Sequence, residues 1–118
     1  MDENYLKQFS MLNPPKNPLG RTKEVEEKYD KCIKNGSNIF FLDTLKKTLK
    51  YDNPLLLENQ FPYDTKNDIK HYCIWYSEPF DVERFLKDHN LRVITYFEND
   101  IRLKSIKDIS HIHVFVKI

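Results

Sequence analysis

The chain reads as an α+β domain: a small, mainly antiparallel three-stranded sheet covered by two N-terminal helices and one inter-strand helix. Three patterns carry that reading. Between residues 22 and 50 apolar side chains recur at helical spacing, whereas from residue 71 onward short aromatic and β-branched runs are separated by turn-prone residues. The last eight residues, His111 to Ile118, alternate strictly, with Ile112, Val114, Val116 and Ile118 on one face and His111, His113 and Phe115 on the other.

Residues 1–18 end in Asn13-Pro14-Pro15-Lys16-Asn17-Pro18, where three prolines remove backbone donors, so this stretch reads as an extended N-terminal arm preceding a single domain over 19–118. Thr22 is placed to cap a first helix over about 23–34, with acidic residues in its first turns and Val25, Tyr29, Cys32 and Ile33 on one face. Asn35-Gly36 stops it. Ser37 or Asn38 caps a second helix whose buried stripe is Phe41, Leu42, Leu45 and Leu49, ended by Asp52-Asn53-Pro54. The run Leu55–Leu57 and the following Asn59–Asp64 read as a structured loop, because turn chemistry outweighs period there. His71–Tyr76 is the first strand. Ser77 and Pro79 open a short third helix with Val82, Phe85 and Leu86 inward, a second strand spans 91–97, and the alternating terminus is the third.

Composition removes several functions. The 118 residues carry 19 Lys and Arg against 18 Asp and Glu, a formal charge of +1. There is no basic excess, and the local basic cluster Lys46, Lys47 and Lys50 reads as a solvated helix face, so nucleic acid is not an expected partner. No window approaches eighteen continuous apolar residues and no apolar leader is evident, so no membrane association is expected. Two cysteines, Cys32 and Cys73, lie outside any paired motif, which fits reduced thiols in the cytoplasm. Two glycines, Gly20 and Gly36, cannot build a phosphate-binding loop. A histidine-triad hydrolase would need a third alternating histidine where Phe115 stands, and His-x-Ser/Thr pairs, a nucleophile elbow and a His-Glu-x-x-His helix are all missing.

What remains is a cluster. If the strand at residue 71 neighbours the terminal strand, His71, Cys73 and Trp75 share a face with His111, His113 and Phe115. Three readings follow. The histidines are satisfied structural groups, bonded to carbonyls or to Asn59, Asn99 or Ser105. Alternatively they serve, with Arg21, Asn99 or Ser105, a small polar or phosphorylated ligand, and His71, His111 and His113 are then the candidates for acid or base catalysis. In the third, the same three histidines hold a metal, the weakest reading because spacing does not fix tetrahedral geometry. The sequence requires no cofactor.

The ordered string Asn59-Gln60-Phe61-Pro62-Tyr63, His71-x-x-x-Trp75, Phe97-x-Asn99, Ser105 and His111-x-His113-Val114 resembles a domain-of-unknown-function family. It is typified by the fungal N-acetylglucosamine-induced protein 1-like proteins and has bacterial and large-DNA-virus members. Leu19-Gly20-Arg21, Tyr29 and Gly36-Ser37 extend the resemblance upstream. Asp100 and Glu98 depart from the family's Trp and Lys, and Cys73 from its usual aliphatic residue. The short length and a Lys-, Asn- and Ile-rich composition resemble a trimmed viral member, which implies a host-cytoplasm setting. The resemblance supplies no reaction; it implies Arg21, Asn59, Tyr63, Trp75, Asn99 and Ser105 as ligand-binding candidates beside the histidines. A protein-interaction module, such as a viral accessory protein binding a host protein, is the alternative.

Overall fold

A computed structural model describes residues 1–104 and 109–118 of the chain. Four α-helices, α1 (Glu3–Leu6), α2 (Lys23–Lys34), α3 (Ser37–Leu49) and α4 (Val82–Asp88), accompany four strands, β1 (Leu55–Glu58), β2 (Ile69–Tyr76), β3 (Val93–Phe97) and β4 (Ser110–Lys117). The strands form one antiparallel sheet in the order β1-β2-β4-β3.

The sheet therefore has four strands rather than the expected three. Leu55–Glu58, read from sequence as loop, pairs along β2 with Leu55 opposite Trp75 and Glu58 opposite Tyr72. Three consecutive leucines carry neither alternation nor β-branching, so the strand is specified by its neighbour's unpaired edge rather than by its own pattern. The α+β character stands.

Local chemistry explains the helix boundaries. The Thr22 hydroxyl accepts from the Val25 amide at the start of α2, and the Asp81 carboxylate accepts from Arg84 N–H, which starts α4 at Val82 rather than at the preceding Pro79. Between α2 and α3 the chain turns through Gly36 at φ 77°, a left-handed conformation in which any side chain would be strained.

Both faces of the sheet are covered. Leu86 of α4, with Val82 and Phe85 beside it, packs on Ile74, Ile112, Val114 and Val116. On the opposite face Leu42, Leu45 and Leu49 of α3 pack on Cys73, Trp75 and Ile109, while Leu6 and Phe9 lie with Tyr63, Ile69, Phe97 and Phe115. The N-terminal segment is thus partly helical, and the Thr95 hydroxyl, beside a register shift in β3, donates to its Phe9 carbonyl at 2.6 Å. In register, Cys73 opposes His113 and Trp75 opposes His111, which puts the imidazole face under α3 and the N-terminal segment. No helix is long and apolar enough to cross a membrane among the described residues.

Candidate functional site

Alternation brings His71, Cys73 and Trp75 of β2 against Phe115, His113 and His111 of β4, as their shared face requires. All three imidazoles are buried, with 2% of His71, 4% of His113 and 7% of His111 exposed. Their roles differ.

His71 and His113 form a directly bonded pair. Nε2 of His71 lies 2.8 Å from Nδ1 of His113, and the backbone N–H of Tyr63 donates to Nδ1 of His71 at 3.1 Å. Cys73 Sγ sits 3.7 Å from the same Nδ1 of His113 and receives Nδ2–H of Asn59 at 3.4 Å. On the far side of His113, Nε2 is 3.2 Å from Nδ2 of Asn99 and 3.5 Å from the Tyr63 hydroxyl, while Asn99 and that hydroxyl are 3.1 Å apart. The Tyr63 ring packs beside His71 and stacks on His113, with centroid distances of 4.6 and 5.1 Å.

Burial holds these rings neutral. The His71 pKa is pushed down to about 3, first by desolvation and then by the positive fields of Arg21 and His111; that of His113 is pushed well down by burial, with His71, His111, Arg21 and Lys104 adding to it. Desolvation also raises the Cys73 thiol to about 12, so it keeps its proton, and raises the Tyr63 phenol.

Arg21 closes the cluster from outside. Its guanidinium lies 4.4 Å from the Tyr29 ring centre and 5.4 Å from that of Tyr63, its Nε donates to the Phe61 carbonyl at 2.8 Å, and its Nη1 meets Glu26 at 3.4 Å. Its side chain remains 16% exposed. Asn99 is likewise half-buried. Asn59 is committed to positioning, since its oxygen accepts Phe61 N–H at 2.8 Å while its amide holds Cys73.

Trp75 and His111 flank the pair, the His111 ring meeting that of His113 edge-on at 5.1 Å. The Trp75 and His111 rings stack at 4.5 Å, Trp75 also meets Phe41 edge-on, and His111 Nδ1 lies 3.4 Å from the Ile109 carbonyl. Ser105 lies outside the described residues. One feature carried no sequence signal: Glu98 joins the Tyr76 hydroxyl and Lys104, the latter at 2.9 Å. Cys73, placed on the imidazole face by alternation, contacts the histidine pair as that face requires.

His71, Cys73 and His113 place one donor atom each within 4.8 Å of one another, a spacing that admits a metal ion. The hydrogen bonds do not suit one. A metal on Nε2 of neutral His71 would move its proton to Nδ1, head-on against the donating Tyr63 N–H. The 2.8 Å between the two ring nitrogens is also shorter than the roughly 3.3 Å that two nitrogens span around tetrahedral zinc.

No family model matches the chain. A stretch covering 52% of it is 28% identical to N-acetylglucosamine-induced protein 1 of Candida albicans, and spans 34%, about a third, of that protein. This supports a relationship to the family inferred from the motif string. The crystal structure of a protein named HTC1 has a TM-score of 0.62 at 20% identity, covering 85% of this chain and 76% of that one. It shares the fold.

Proposed function

We propose that the chain binds a small polar ligand at the rim formed by Arg21, Asn99 and the Tyr63 hydroxyl. The neutral His71–His113 pair acts behind it as a rigid support. The observation that carries this reading is where the polar network ends. From Tyr63 N–H it runs through two buried imidazoles and emerges at Asn99, half-buried, on the hydroxyl of the Tyr63 ring over which the Arg21 guanidinium also lies. An apolar core of the same volume would avoid the desolvation cost of these groups, so a structural role alone gives no reason for their convergence. The ligand meets the rim, and the imidazoles set its geometry from beneath.

A cytoplasmic setting belongs to the same reading, supported by the two free thiols. N-Acetylglucosamine 6-phosphate is a suitable first probe, because it offers both donors and acceptors and so presupposes nothing about the polarity of the site. Titrated into 15N-labelled protein, it is expected to shift the Asn99 side-chain amide and the Arg21 Nε resonance saturably. Unmoved rim resonances would reject the reading.

A protein-interaction module is the second reading, favoured by the exposure of Ile33, Ile39 and Phe40, at 43%, 61% and 77%, around the α2–α3 turn. Capture of a stoichiometric partner by wild type but not by Phe40→Ser would support it. A viral origin, with a host protein as that partner, is compatible with this reading.

A further inference from the structure

We infer that Asn99 and Arg21 present hydrogen-bond donors at the rim, so that its ligand is an oxyanion, a phosphate or a carboxylate. The inference rests on the rim reading above and follows from counting protons through the buried network. The backbone N–H of Tyr63 can only donate, so Nδ1 of His71 accepts. A neutral imidazole carries one proton, which must then sit on Nε2 of His71 and point to Nδ1 of His113, 2.8 Å away. The reverse direction would strip both nitrogens of His71. Nδ1 of His113 is therefore an acceptor, as the protonated Cys73 thiol beside it also favours, and the proton of His113 resides on Nε2.

That proton faces Asn99. An amide nitrogen cannot accept it, so the Asn99 amide belongs a half turn round, with its oxygen where Nδ2 stands, 3.2 Å from His113 Nε2 and 3.1 Å from the Tyr63 hydroxyl, to accept from both. The half turn leaves the NH2 group in the place of Oδ1, which has no hydrogen bond to protein among the described residues. Arg21 adds a second donor: among those residues its Nε and Nη1 are engaged and its Nη2 is not. The backbone N–H of Tyr63 thus fixes, three groups away, which end of Asn99 meets the ligand. A guanidinium over the Tyr63 ring and an amide donor at that ring's hydroxyl match the oxygens of a phosphate or carboxylate.

The test joins tautomer and polarity. Long-range 1H–15N spectra of the histidine rings are expected to show the proton on Nε2 in both His71 and His113; a proton on Nδ1 of His113 overturns the inference. Inorganic phosphate and acetate are then titrated against methylguanidinium, which only donates. The oxyanions are expected to shift the Asn99 and Arg21 resonances and methylguanidinium is not. Arg21→Gln should weaken phosphate roughly tenfold or more. Asn99→Asp keeps an inward acceptor for His113 but makes the outward atom an acceptor, so phosphate binding should be lost with the fold intact. Retained phosphate binding in that variant, or a preference of the wild type for methylguanidinium, overturns the donor assignment while the rim survives. If neither ion nor the sugar phosphate binds, the rim reading itself is overturned.

Discussion

Under α4 the two central strands present Ile74, Ile112, Val114 and Val116 to Leu86 and Phe85; under α3 and the N-terminal segment the same strands present His71, Cys73, His111 and His113. Both faces exclude water, yet their energetics differ. The first gains from every apolar group removed from water and tolerates approximate fit. Each ring nitrogen on the second must find a partner, because a lost bond there leaves a buried donor or acceptor unmatched. Area stabilises one face and proton order specifies the other, and that order survives only while the rings stay neutral.

Acid is the strongest way to separate them. His71 and His113 titrate near 6.5 when unfolded and lower when folded, His71 at about 3, so below pH 6.5 the unfolded chain binds protons that the folded chain refuses. Their stabilisation is complete above pH 6.5 and is lost as the pH falls below it, for His71 down to about 3, at up to about 1.4 kcal/mol per pH unit for each ring. Urea unfolding at a series of pH values should show this slope in wild type and a shallower one in the His71→Leu/His113→Leu double variant. Equal slopes would mean that the two faces do not differ in this way.

Truncation on the apolar face comes next. Ile112→Ala removes a side chain only 2% exposed and should cost about 3 kcal/mol by denaturant unfolding, with no change in the acid slope. On the polar face His71→Leu should cost about 2 kcal/mol, because it strands the Tyr63 N–H and Nδ1 of His113. Adding His113→Leu should cost less than a second independent loss, the double variant being more stable than the sum of the singles by about 1 kcal/mol. Strict additivity would deny that the rings act as one unit.

The two faces were unequally legible in the sequence. Alternation in His111–Ile118 and the polarity of β2 were enough to put His71, Cys73 and His113 together, since a one-residue slip would bury the wrong set. The Leu55–Leu57 strand was not legible, because three leucines have no period and the strand exists through pairing with β2. Nor was the division of labour between His111 and His113, two residues apart on one strand. That depends on lateral neighbours: His113 lies between Cys73 and Phe97 with Asn99 just beyond, whereas His111 meets Trp75. The direction of each proton is further still from the sequence, being set by one backbone amide at Tyr63.

This difference between neighbours yields the smallest effect. His111 makes one long bond, 3.4 Å to the Ile109 carbonyl, and offers the flat of its ring to Trp75 at 4.5 Å while meeting the His113 ring edge-on at 5.1 Å, with no hydrogen bond between the two imidazoles. Phenylalanine keeps the ring contact with Trp75 and releases the cost of burying a weakly bonded imidazole. His111→Phe should therefore change stability by less than about 1 kcal/mol, and it should leave the His71 and His113 tautomers as they are. The same substitution at His113 would interrupt the network at its centre and should cost about 2 kcal/mol. Equal losses at the two positions would place His111 inside the polar network and enlarge the site along β4.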